Sequence, residues 1–364
     1  MRKPSLILRL PRVAWLAAAL ATALALAVAT QAGAAPSSGY ASHNLVSDQA
    51  GMADRVDPDL VNAWGLASRL DSPWWVANNA TSQATVYTAD GNAFAPSGSP
   101  LVVGAPESPT GVVANSGSSF AISAGGASAP ALFLFGTEEG KILAWNQAVS
   151  SGQAVVTGDR SGAGAIYKGL ALSGNRLYAT DFHNGRVDVF DASFKPVRTP
   201  GAFVDRKLLR GFAPFGIQAV GSRIFVTFAK QDAKGEDDVH GPGLGFVDAF
   251  DRNGRLLARV ARRGELNAPW GIARAPRTFG RFGGDLLIGN FGDGRINAFR
   301  QRPGGTFAPA GELRTAAGRR LVIDGLWALQ FGHGTANNGP ANTLFFTAGP
   351  DDEAHGLFGT ITAG

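Results

Sequence analysis

Apolar residues in this chain fall in short alternating runs bounded by Gly, Pro, Asn and Asp, and no Lys/Glu-rich helical pattern interrupts the series. Six times a glycine opens such a run: Trp64-Gly65, Thr110-Gly111, Lys168-Gly169, Phe215-Gly216, Trp270-Gly271 and Asp324-Gly325, about 46 to 58 residues apart. Each opening is followed by a second strand, a turn and a third strand. Repeats of this length make one small sheet apiece, which cannot bury its own faces. Radial packing around an axis solves that problem and predicts an all-β fold, a six-bladed β-propeller with four strands per blade. The blades are expected to start near residues 62, 109, 167, 214, 269 and 324.

The third repeat shows the pattern most clearly, with strands predicted over 169–172, 176–180 and 186–190. Asn184-Gly185 joins the last two, and Asp293-Gly294 does the same in the fifth repeat. Both positions of a type I′ turn need positive φ, which Asn-Gly and Asp-Gly tolerate. The third strands end on Tyr87, Trp145, Phe190, Phe250 and Phe299, bulky residues suited to wedging against the next blade, whereas the sixth is predicted to end on Thr360. The sixth repeat lacks a fourth strand of its own, and the unclaimed segment 42–47 is expected to fill that place, closing the ring and covering an open edge.

Composition changes the picture mainly at the start of the chain. Arg2, Lys3, Arg9 and Arg12 precede an uncharged run from Val13 to Ala29 that ends at Ala32-Gly33-Ala34. A basic start, an apolar stretch and a small-residue site predict a signal peptide over 1–34, a propeller over 35–364, and export to the periplasm or the outside of the cell. A retained anchor is the other reading of the same run. Removing four basic residues from a formal charge of +5 leaves about +1, so bulk charge gives no reason to expect nucleic-acid binding. No later segment is apolar enough to span a membrane. With no cysteine, stability is expected from packing alone.

Candidate chemistry is expected at the channel mouth, where the loops entering the inner strands meet the hairpins between second and third strands. Superposing the repeats at the end of the second strand gives Asn78, Gly136, Asp181, Phe228, Asn290 and Ala348. Asn78, Asp181 and Asn290 then form a candidate calcium set, and Asp181 with His183 a candidate acid–base pair. The same side chains also suit turn geometry. Asn62, Trp64 and Trp270 at blade openings, Lys230 and Asp232 in the charged insertion 230–240, and Asp351 and Glu353 in the acidic cluster 351–355 are candidate binding residues for a small molecule, a carbohydrate or a protein. There is no Ser nucleophile elbow, paired-His zinc motif or Walker loop.

Several stretches resemble an uncharacterised family of secreted bacterial proteins, some of which carry C-terminal PEP-CTERM sorting tails. They include 44–48, 60–65, 183–190, 268–272, 289–297, 324–327 and 353–359. This chain has no such tail. More distantly, the repeats are similar to NHL-type propellers, whose relatives include calcium-dependent lactonases of the gluconolactonase class. Those enzymes take an acidic metal ligand from the first blade, where this chain offers Asn62-Ala63-Trp64. The expected function is an exported ligand- or partner-binding module, and the alternative is a calcium-dependent hydrolase of lactonase or phosphotriesterase type.

Overall fold

The structure, a computed structural model, describes Met1 and residues 39–364. The predicted signal segment beyond Met1 lies outside the described residues.

From residue 39 onward six sheets are arranged as the blades of a propeller, antiparallel except where Arg55–Val56 pairs parallel with Tyr40–Ser47, beside a separate hairpin of Ala121–Ala124 and Ala127–Pro130 and two single-turn 3-10 segments, Ser161–Ala163 and Gly280–Phe282. The inner strands are Ala63–Ala67, Pro109–Ala114, Tyr167–Ser173, Phe212–Val220, Pro269–Arg274 and Leu326–Phe331. Alternation along each second strand sends one set of side chains into the seam before its blade and the other set into the seam after it. In the first blade, Trp74 and Val76 face the sixth blade, while Trp75 and Ala77 join Phe133, Phe135 and Trp145 of the second. Trp75 stacks on Phe133 with ring centroids 4.3 Å apart. Each fully buried aromatic of this kind contributes about 2–3 kcal/mol by leaving water.

The inner glycines exist because the next blade's backbone lies against them. A Cβ on Gly216 would stand 2.1 Å from the Trp270 carbonyl oxygen, and one on Gly271 would stand 2.6 Å from that of Trp327. Threonine hydroxyls reinforce the contact between blades. Thr180 Oγ1 donates to the Phe215 carbonyl at 2.6 Å, and Thr347 Oγ1 donates to that of Trp64 at 2.5 Å.

The ring closes through Tyr40–Ser47, which pairs antiparallel with Leu357–Ala363 and supplies the outer strand of the sixth blade. Asp48, just beyond the strand, accepts from the Gly356 amide at 2.9 Å and pairs with His355 Nδ1 at 2.7 Å.

Three expectations shift. The sixth inner strand begins at Leu326, and Ala328 holds the place that glycine fills elsewhere, so Asp324-Gly325 belongs to the approach loop. Its third strand runs on to Ala363 and sets Ile361, fully buried, opposite Leu344; Ile361, and not Thr360, matches the aromatics of the other blades. The third blade has three strands, not four. After Phe190 the chain carries Pro196 and Pro200, which cannot donate to a ladder, and it fills the missing strand's place with buried Phe194 and Phe203.

Candidate functional site

The residues just before the inner glycines, with Trp327 in the sixth blade, form a central ring: Trp64, Thr110, Lys168, Phe215, Trp270 and Trp327. Contacts between non-neighbouring blades place them on the axis. Trp327 of blade six lies 5.9 Å from Phe215 of blade four, and Trp270 Nε1 of blade five donates to the Lys168 carbonyl of blade three at 3.0 Å. Trp327 is also stacked between Trp64 at 3.8 Å and Phe291 at 3.9 Å. These rings, with Phe182, Ala213, Ala229 and Ala268, make an apolar plug on the axis.

Lys168 is the one charged member of this ring and is 2 % exposed. Its Nζ lies 5.3 Å from the centre of the Trp64 ring and pairs with Glu138 of the second blade and, at 3.1 Å, with Asp237 of the fourth-blade insertion. Burial alone would lower the Lys168 pKa, but the two carboxylates more than offset it and hold it above the ordinary lysine value.

From Glu138 a hydrogen-bonded chain crosses the mouth. Asn79 Nδ2 donates to Glu138 Oε2 at 3.0 Å, Asn62 Nδ2 donates to Asn79 Oδ1 at 3.3 Å and to Glu353 Oε2 at 2.6 Å, and Trp327 Nε1 donates to Asn62 Oδ1 at 3.0 Å. Glu353 is aimed inward by a turn in which Asp351, Asp352 and Glu353 all take left-handed φ, between 54° and 68°. Such a conformation costs about 1–2 kcal/mol per non-glycine residue.

Burial, opposed by the Asn62 hydrogen bond and by Lys168, pushes the Glu353 carboxyl up to about 7, with the Glu138 and Asp238 charges adding to the rise. On the fourth-blade insertion His240 Nε2 lies 3.1 Å from Asp238 Oδ2. That contact, with burial opposing it and the Asp352 and Glu353 charges adding to it, raises the imidazole above its ordinary value. His240 meets Phe291 of the fifth blade edge-on at 5.1 Å. All six blades therefore contribute to one mouth with an excess of carboxylates over a closed apolar floor.

The candidate residues distribute as follows. Asn62, Trp64, Trp270 and Glu353 meet here. Asp351 is exposed on the same turn, its amide held by Asp324 Oδ2 at 3.0 Å. Asp232 shapes the insertion by accepting from the Glu236 amide at 2.9 Å, and Lys230 lies over Phe212 at 5.9 Å, off the axis.

Asn78, Asp181 and Asn290 are fully buried and face three different seams. Asn78 donates to Thr85 Oγ1 at 2.9 Å, and Asn290 donates to the Glu265 carbonyl at 2.8 Å. Asp181 accepts from the Ile166 and Asn184 amides and from Asn184 Nδ2. Desolvation raises its pKa against those donors. Calcium needs six to eight converging oxygens, and this set does not fit it. Among the described residues no group of three or more His, Asp or Glu is placed to hold a metal ion. His183 is exposed, and the Asp181 carboxylate hydrogen-bonds to the partners just named and lies 3.2 Å from Arg186, so the two do not form a hydrogen-bonded dyad. The register also puts Thr137 opposite Pro109, so Thr137, not Gly136, is the second blade's equivalent of Asn78.

Lys168, Glu138, Asn79, Asp237, Asp238 and His240 were not expected as site residues. For Asn79 and Glu138 the signal was the repeat itself, read one residue further on: Asn79, Glu138, Phe182, Ala229, Phe291 and Gly349 follow the seam-facing positions, whereas Lys168 precedes an inner glycine and Asp237, Asp238 and His240 lie in the insertion, outside the repeat.

No family model matches the chain. It is 33 % identical over 328 residues to Uncharacterized protein L690 of Acanthamoeba polyphaga mimivirus, covering 87 % of this chain and 84 % of that one. It is also 33 % identical over 326 residues to Uncharacterized protein R648 of the same virus, covering 87 % and 78 %. These curated relatives are viral, which corrects the expectation of secreted bacterial ones. A solved Bacteroides thetaiotaomicron protein of unknown function is similar with a TM-score of 0.54 at 11 % identity, over 91 % of this chain and 75 % of that one. Likeness at this level of identity extends to the fold alone.

Proposed function

The chain belongs to the family of the uncharacterised mimivirus proteins L690 and R648, and from that premise we propose that it is a ligand-binding module whose recognition site is the channel mouth. The observation that carries this reading is the convergence of Lys168, Glu138, Asp237, Asn62 and Glu353, from five of the six blades, directly above the aromatic plug. The plug leaves the mouth as the place where a ligand is held. Carboxylate and amide oxygens outnumber donors there, and Trp270, half-buried, offers part of an aromatic face. This combination suits a small molecule rich in hydrogen-bond donors, such as a sugar or an amine. Export remains part of the proposal, supported by the basic, apolar and small-residue pattern of residues 2–34.

Glucosamine, which carries both hydroxyls and an ammonium group, is the first probe. The reading predicts that it raises the melting temperature of the wild type and that Glu353→Gln and Glu138→Gln remove the shift. An equal shift in both variants would sink the assignment.

One observation favours a hydrolytic second reading: a carboxyl near 7 is suited to give and take protons at neutral pH. In that case Glu353, and not the expected His183–Asp181 pair, is the acid–base group. Ester or lactone hydrolysis abolished in Glu353→Gln and retained in His183→Ala is its signature.

A further inference from the structure

Away from the mouth, a groove of about 810 Å³ runs between the outer strand of blade four, Leu256–Arg262, and that of blade five, Phe307–Glu312. This volume is ample for a small ligand or a short oligomer. Six arginine side chains line it against two glutamates.

Three of the six are held in place by carboxylates. At one end Arg259 pairs with buried Asp205 and Asp248. At the other, Arg314 and Arg320 share the single carboxylate of Glu312, so one positive charge is left over. Arg262 and Arg263 are exposed and make no ion pair among the described residues. Burial and then the nearby Arg262 charge lower the Arg259 pKa, a repulsion that an anion between the two guanidiniums would relieve.

We propose that this groove binds a glycan bearing sulfate or carboxylate groups. Guanidiniums already fixed by carboxylates lose little freedom on meeting an anion and offer planar, paired donors that match sulfate or carboxylate. Positive charge at both ends calls for a ligand with repeated anionic groups. The floor between them is apolar, formed by Val260, Ala298, Phe299 and Pro309, and suits the apolar face of a sugar ring. A nucleic acid would need free aromatic faces for its bases. Phe299 is 4 % exposed, and Phe307 packs edge-on against Phe225 at 6.0 Å.

The test measures binding of labelled heparin-derived and galacturonate hexasaccharides to the mature chain at about 150 mM salt, where long-range attraction is screened. A neutral hexasaccharide and a single-stranded oligonucleotide serve as controls. At least one anionic glycan is expected to bind, and which of them does identifies sulfate or carboxylate. Arg262→Glu/Arg263→Glu should weaken it at least about tenfold. These exposed, unpaired residues are free to change without loss of the fold, which a melting curve verifies, and Arg320→Gln, which leaves Arg314 on Glu312, provides a second variant. Arg198→Glu/Arg210→Glu, the same charge change elsewhere, should weaken binding less than about twofold. Absence of binding by both anionic glycans, equal loss in the distant double variant, or equal or tighter binding of the oligonucleotide overturns the proposal.

Discussion

The axial plug and the mouth above it occupy adjacent layers of the same six repeats, yet one is almost wholly apolar and the other is crowded with charge. In the plug, the inner-strand positions carry Trp64, Phe215, Trp270 and Trp327, with Trp64 stacked on Trp327 and Phe215 and Trp270 meeting Trp327 edge-on. One layer up, the hairpins and entry loops carry Glu138, Asn79, Asn62 and Glu353, joined in a hydrogen-bonded line. The lower layer fixes the scaffold, and the upper one is the part of the axis that has room for chemistry. Lys168 belongs to both, with its stem in the plug and its ammonium group in the mouth.

Breaking the plug should cost the most. Trp327→Ala removes an indole that touches Trp64, Phe215, Trp270 and Phe291, and it is expected to lower unfolding free energy by about 4 kcal/mol in denaturant titrations. A loss below about 1 kcal/mol would mean that the plug collapses without consequence. Gly216→Ala drives a Cβ into the Trp270 carbonyl, and the blades must part to admit it, at a cost of about 2–3 kcal/mol.

Lys168→Met keeps the volume but leaves Glu138 and Asp237 without their cation. Because both carboxylates are partly exposed, the expected loss is smaller, about 2 kcal/mol, and should shrink as pH falls and they protonate. No dependence on pH would show that the pair does not stabilise the fold.

The smallest effect sharpens the comparison from the mouth side. The Glu353 carboxyl is raised from 4.5 to about 7 in the folded chain, so the folded state binds more protons than the unfolded one between those values. Its contribution to stability is full below about pH 4.5 and is lost as pH rises through 7. Glu353→Gln, which keeps an acceptor for Asn62, should therefore match the wild type near pH 4 and exceed it at pH 8 by roughly 1–2 kcal/mol, the full value of the rise being discounted for solvent screening at this partly exposed position. Equal melting temperatures at both pH values would contradict the burial argument.

The fold was legible because its signals are local: glycines where neighbouring backbones touch, Asn-Gly and Asp-Gly hairpins, and aromatics at the ends of third strands. The signal weakened where one residue broke the rule. Ala328 stands where five blades have glycine, and the nearest glycine, Gly325, drew the sixth opening three residues early. The site was harder to read because strand geometry alternates. Asn78, Asp181 and Asn290 lie on the correct hairpins, but a step of one residue separates side chains that enter the seams from those that face the axis. Lys168 was visible as a blade-opening residue, yet its burial between Glu138 and Asp237 depends on a fourth-blade insertion whose path the repeats do not encode.

Electrostatic coupling of the mouth into one site is the central claim, and a carbon-detected NMR titration of the Glu353 carboxyl in wild type and Lys168→Met tests it directly. It predicts a midpoint near 7 in the wild type and a higher one in the variant, since Lys168 favours the ionised carboxylate. A midpoint near 4.5 that is the same in both proteins would contradict it.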